Sequence, residues 1–303
     1  MIVACVCGGF PVTACYVAHM FRLRRRAKRS SSVPAETPVE AVASTAAEVP
    51  VDAPVEAPAA PVDASAEQDH EVVEQQPVEQ QPAASKSTVP FEQIAADVQS
   101  ILAQIPIDFG GGCSVDKALS MVRLLLSTDA ELAVDVGVYR GRSFFPLAVA
   151  FRALGHGQAI GVDPYTVGDA MQLDKHEVGA VLTQWTAAQD WGALHDQVVG
   201  MLEREGLSDY GRILRKRSED AVPTFEPHSM DLVHIDGNHD RAAVELDLAM
   251  YRPLVKIGGY IVLDDISWAS VGTVYDELKN TAVLIEERRS NADDYAIFHL
   301  VNG

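Results

Sequence analysis

From residue 131 onward, short apolar runs alternate with segments of helical spacing, and this alternation restricts the fold more than any other feature of the chain. ELAVDVG (131–137), AIGVD (159–163), RILRKR (212–217), MDLVHID (230–236) and GGYIVLDD (258–265) read as strands. RSFFPLAVAFRALG (142–155) and DRAAVELDLAMYRPLV (240–255) read as helices between them, as does a mostly helical stretch at 167–207 that contains DWGALHDQVVGMLEREG. Two more helices, FEQIAADVQSILAQI (91–105) and DKALSMVRLLLS (116–127), precede the first strand on either side of a GGG break. At the end, AVLIEERR and DYAIFHLV read as two strands joined by SNAD, which predicts an antiparallel hairpin. Such alternation requires a mainly parallel sheet with helices on both faces, here an α/β fold of seven strands.

In sheets of this kind ligands bind beyond the carboxyl ends of the strands, near the point where strand order reverses. The residues at those ends are Asp135-Val-Gly137, Asp163, Ser218, Asp236 and Asp264-Asp265. All five ends carry small or acidic polar residues, a series that chance placement does not readily give.

The residues before 91 are of a different kind. Residues 1–30 carry six Lys/Arg and no acid, and the uncharged apolar run 1–21 is followed at once by RLRRRAKR. That order is wrong for a cleaved secretory signal and suits a membrane anchor whose basic end stays in the cytoplasm. Residues 31–90 hold one Lys against eleven Asp/Glu, nine of the sixteen prolines and no aromatic residue. They read as a disordered Pro/Ala/Val/Glu-rich linker, because they cannot bury enough apolar surface to offset chain entropy. Residues 91–303 would then be the folded domain, membrane-tethered on the cytoplasmic side, or soluble in the cytoplasm if the anchor reading fails. The net charge of −19 argues against nucleic acid as a partner, since phosphate binding needs clustered cations. Four scattered cysteines give neither a disulfide framework nor a metal spacing.

AVDVGVYRGRS (133–143) is a strand, a glycine turn and a helix start. Gly137 and Gly141 let the backbone approach a ligand, and helix N-terminal amides can hold a carboxylate. The spacing is Gly-x-x-x-Gly rather than Gly-x-Gly-x-x-Gly, which disfavours a nicotinamide cofactor. Asp163 can accept hydrogen bonds from both ribose hydroxyls of an adenosine group, or can serve a turn before Pro164. Ser218, Glu219 and Asp220 can lie at an adenine ring or cap a helix.

With DVGVYRGRS, GVDPY, DLVHIDGNHD and GGYIVLDD in this order and spacing, residues 115–303 resemble a class I S-adenosylmethionine-dependent methyltransferase. The branch most resembled contains metal-dependent sugar and antibiotic O-methyltransferases. The resemblance implies a Rossmann-like sheet ending in an antiparallel hairpin, S-adenosylmethionine as cofactor, and a small hydroxylated acceptor. It places Asp135, Gly137, Tyr139, Gly141 and Ser143 at the methionine part of the cofactor, Asp163 at the ribose, and Ser218 with Glu219 at the adenine. The stretch 167–207 would help to cover the substrate.

In this fold the fourth and fifth strands are neighbours, so Asp236, Asp264 and Asp265 would converge and, without a cation, raise one another's pKa. The resemblance assigns them to a divalent ion, Mg²⁺ in particular, and places a base at His239. His234 points to the same strand face as Asp236 and reads as a packed strand histidine. Asp240 reads as a helix cap. Trp268 can wall the acceptor pocket or belong to the core. Trp185, Trp191 and His195 can touch an acceptor or only pack helices. Two other functions stay open: a membrane-tethered module without catalysis, and a hydroxylase-like relative on the same fold.

Overall fold

A computed structural model describes residues 87–108, 112–174, 179–290 and 293–301 of the chain. The expected anchor 1–30, and the linker as far as residue 86, lie outside the described residues. Among the described residues no helix is long and apolar enough to cross a membrane. Residues 87–90, expected in the linker, already join the fold: the Ser87 hydroxyl donates to the carbonyl of Ala153 at 2.6 Å.

The elements run α1 (Phe91–Leu102), α2 (Val115–Thr128), β1 (Leu132–Val136), α3 (Phe144–Leu154), β2 (Gln158–Val162), α4 (Val167–Ala170), α5 (Ala180–Ala188), α6 (Trp191–Arg204), β3 (Gly211–Leu214) and α7 (Ser218–Ala221). They continue with β4 (Met230–Ile235), α8 (Arg241–Tyr251), β5 (Val255–Asp264), α9 (Ala269–Thr281), β6 (Val283–Arg289) and β7 (Asp294–His299). The sheet order is β3-β2-β1-β4-β5-β7-β6. The first five strands are parallel, and β7 is antiparallel to both β5 and β6. The expected seven-stranded sheet with its terminal hairpin is therefore present.

Side chains alternate across each strand, and the period of two divides the core in two. Ala133, Ala159, Leu232 and Val262 face α1, α2, α3 and α6. Val134, Val136, Val233, Ile235, Ile261 and Leu263 face α8 and α9. α3 is buried from Phe144 through Phe151, as expected of a helix apolar on all sides. α9 lies where the sequence reading places no element, although Val271, Val274, Tyr275 and Leu278 have helical spacing and are buried.

Three boundaries differ from expectation. β3 stops at Leu214, leaving Arg215, Lys216 and Arg217 exposed beyond it. Val255 begins β5 rather than ending the preceding helix. Asp240 occupies the N-cap position of α8, but its carboxylate accepts no bond from that helix. It accepts instead from the amides of Leu173 and Asp174 at 2.7–2.9 Å, stitching the segment after α4 to this turn.

Candidate active site

The order reverses between β1 and β4, and the site forms where these strands end. Gly137 leaves β1 with φ +90°, and an added Cβ would lie 2.1 Å from the carbonyl oxygen of Asp236. The glycine is therefore demanded first by the neighbouring strand end. Gly141 (φ +85°) is demanded by Phe145, whose ring an added Cβ would meet at 2.6 Å. Between them Tyr139 adopts φ 49°, uncommon for a bulky residue. This directs its N–H to Asp163 Oδ2 at 2.9 Å. The other carboxylate oxygen of Asp163 accepts from Tyr165 N at 2.7 Å. Burial raises the pKa of Asp163, and these amides oppose the shift.

A small polar cleft opens here, lined by Gly112, Cys113, Gly137, Tyr139, Ser143 and Asp236 among others. The Tyr139 hydroxyl donates to Asp108 Oδ2 at 2.9 Å, and its ring packs against Trp185 and Trp191 with centroids 5.6 and 5.9 Å away. His195 packs edge-on against Tyr165. The long stretch between β2 and β3 thus covers the turn at 137–141.

Asp135 and Ser143 stand at the turn, but as its support. Asp135 is fully buried, with Ser143 Oγ donating to Oδ2 at 2.8 Å and His234 Nδ1 lying 2.6 Å from Oδ1. Register explains this contact: Asp135 is paired with His234 across β1 and β4, on one sheet face. His234 is fully buried, as expected of a packed strand histidine, yet it is ionically engaged. Burial and the Lys117 ammonium lower its pKa, and the Asp135 carboxylate more than offsets them, leaving it at about 9.

Asp264 lies two residues beyond the partner of His234, on that same face. There it meets Lys117 of α2, a residue the sequence reading passes over, with Nζ 2.5 Å from Oδ2. Burial opposes the charge on Asp264, but Lys117 and His234 hold its carboxyl far below the usual range.

Asp236 and Asp265 face His239. Its Nε2 lies 3.3 Å from Asp236 Oδ1 and 3.4 Å from Asp265 Oδ2, yet makes no aligned hydrogen bond. Burial pushes Asp236 up to about 7, helped by the charge of Asp264. Burial lowers the pKa of His239, and Asp265 and Asp236 outweigh it, leaving the imidazole at about 9. Nδ1 is 3.1 Å from Gln172 Nε2, while Gln172 Oε1 is buried without a partner. Turning this amide over would let Nδ1–H donate to Oε1, the arrangement that a charged His239 requires. The Trp268 ring lies 5.2 Å from His239 and belongs to the core, 9% exposed.

The acidic and histidine donor atoms thus form two groups of three that share Asp236. One is His234, Asp236 and Asp264, the other Asp236, His239 and Asp265, each with donor atoms within 4.8 Å of one another. Ser218 and Glu219 begin α7 beyond β3, with no side-chain cap to that helix. They border Asp247 of α8, a second residue missed by sequence, whose pKa burial raises to about 6.

Residues 134–266 match the family described as a methyltransferase domain. A comparison with curated proteins found no match. Similar solved structures include the O-methyltransferase TomG from Streptomyces achromogenes, involved in tomaymycin synthesis and solved with SAM. It is 16% identical, with 72% of this chain and 92% of that chain covered and a TM-score of 0.46. The SAH-bound Podospora anserina methyltransferase PaMTH1 is 11% identical, with coverage of 72% and 90% and a TM-score of 0.46. An O-methyltransferase from Bacillus cereus in complex with SAH is 16% identical, with coverage of 70% and 91% and a TM-score of 0.43. The family match runs from β1 to just past the end of β5 and takes in the glycine turn, the acid after β2 and the acids after β4 and β5: residues 134–266 carry a methyltransferase domain.

Proposed function

We propose that the protein transfers a methyl group from S-adenosylmethionine to a hydroxyl of a sugar or small natural product. In this reading Asp236, Asp264 and Asp265 hold Mg²⁺ and His239 is the base. The observation that carries it is the buried Nε2 of His239, directed at two carboxylates without an aligned hydrogen bond. The donor set fits a hard divalent cation: it is rich in carboxylate oxygen, and Asp236 is held up to about 7 by burial and the charge of Asp264.

Gly137, Tyr139 and Gly141 would border the methionine part of the cofactor, with Asp135 and Ser143 bracing that turn from beneath. Each oxygen of Asp163 accepts one backbone amide and keeps a lone pair for a ribose hydroxyl. Ser218 and Glu219 would flank the adenine. When bound, the ion would polarise the acceptor hydroxyl and lower its pKa. With their charge compensated, Asp236 and Asp265 would no longer retain a proton on His239, and the imidazole could take the hydroxyl proton. S-adenosylmethionine, when bound, would supply the methyl group: an O–C bond to the acceptor would form as the C–S bond breaks, and the electron pair would stay on sulfur. Trp268 and Gln172 would hold the acceptor side and exclude water.

Calorimetry of the full chain with S-adenosylhomocysteine tests the cofactor assignment; absence of binding would refute it. Mass spectrometry over a panel of hydroxylated small molecules tests the reaction. A gain of one methyl group is expected, while a gain of one oxygen would point to the hydroxylase alternative. Full turnover in chelator would refute the metal role.

A further inference from the structure

We propose that Lys117 is a positioning residue of the carboxylate site, a fixed positive charge that offsets Asp264 and biases the site toward a divalent rather than a trivalent ion. This rests on the metal-assisted reading above and adds to it a residue of α2. Lysine is almost never fully buried without a partner, and Lys117 is 1% exposed. Its Nζ lies 2.5 Å from Asp264 Oδ2 and 5.4 Å from the ring centre of Tyr295.

The backbone around Lys117 is fixed from two sides. Ser114 caps α2 by accepting from Lys117 N at 3.1 Å, and its hydroxyl donates to Asp293 Oδ2 at 2.7 Å. The ammonium is thereby held at the end of β5 by the hairpin that follows it. On its other side Asp264 Oδ2 lies 3.7 Å from Nε2 of the buried His234, which has no hydrogen-bond partner.

The buried ammonium offsets one carboxylate charge of the group Asp236, Asp264 and Asp265. Its removal leaves the site one charge more negative, which favours a trivalent over a divalent ion. Lys117 thus biases the site by ion charge without touching the acceptor.

The test is competition between Tb³⁺ and Mn²⁺ for the full-length protein, read by terbium luminescence. Lys117→Met is expected to raise the Tb³⁺-to-Mn²⁺ affinity ratio by at least about tenfold, and Lys117→Arg to leave it near the wild-type value. A merely structural lysine would not shift selectivity, so a Lys117→Met ratio within about twofold of wild type overturns the inference. If Lys117→Met does not fold, Lys117→Gln, which removes the charge but keeps a hydrogen-bond donor for Asp264, should raise the ratio likewise; an unshifted ratio there overturns the inference equally. Wild-type protein that binds neither ion overturns the metal reading and this inference together. Wild-type binding with an unshifted Lys117→Met overturns this inference alone.

Discussion

Replacing Gly137 by Ala tests the claim that this turn is set by the meeting of two strand ends. The new Cβ would stand 2.1 Å from Asp236 O and 2.5 Å from Asp236 C, where real Cβ atoms keep at least 3.0 Å. Both obstacles are backbone, so no side chain can swing aside. The residue also has φ +90°, a left-handed conformation that costs an L-residue about 1–2 kcal/mol. Overpacking adds about 1–3 kcal/mol. The expected loss is about 2–5 kcal/mol, read as a lowered urea midpoint at unchanged m-value. Relief of the contact must push Asp236 away from β1, so S-adenosylhomocysteine binding should weaken as well. Gly112→Ala, at a cleft-lining residue with nothing within 4 Å, is the control and should leave the midpoint unchanged. A Gly137→Ala variant as stable as wild type would refute the backbone-crowding argument, and a loss of binding without loss of stability would return the glycine to a purely ligand-facing role.

In chelator, stability should decline as the pH rises from 6.5 through 9. His234 has a folded-state pKa raised to about 9, so its contribution is complete below 6.5 and lost above 9. His239, also raised to about 9, adds to the decline over the same range, so His234→Asn should lessen its slope in thermal melts without abolishing it. Asp163→Asn should weaken S-adenosylhomocysteine binding by about 10–100-fold in calorimetry, since hydrogen bonds to a charged acceptor contribute about 1.5–3 kcal/mol. An unchanged affinity would remove Asp163 from the cofactor site. Asp265→Asn should abolish Mn²⁺ binding with little effect on stability, because Asp265 is a third exposed and sits at the rim of the site. Retention of Mn²⁺ would exclude it as a ligand.

The sheet was legible because apolar runs of period two and helices of period 3.6 leave distinct marks. The five parallel strands and the terminal hairpin follow from those marks alone. Helix α9 had its mark too, in Val271, Val274, Tyr275 and Leu278, although the sequence reading passed over it. Strand-end chemistry was equally readable, and it drew attention to Asp163, Asp236, Asp264 and Asp265, while His239 came from the resemblance. Caps were read less well. A Ser or Asp at a helix start has the right chemistry for its own helix, but Asp240 finds two amides 66 and 67 residues away.

By itself the sequence determined which residues stand at the carboxyl edge of the sheet, because strand ends are local features. Only the tertiary structure decided how their charges pair. Lys117 lies in a segment that reads as an ordinary amphipathic helix, 147 residues from Asp264, and nothing in its neighbourhood marks it as an internal cation. The pairing of Asp135 with His234, 99 residues apart, depends on the register of β1 with β4. Electrostatics act through space over a few ångströms, so the division of one acidic edge into an ammonium-bound carboxylate and a histidine-facing pair appears only when the chain is folded.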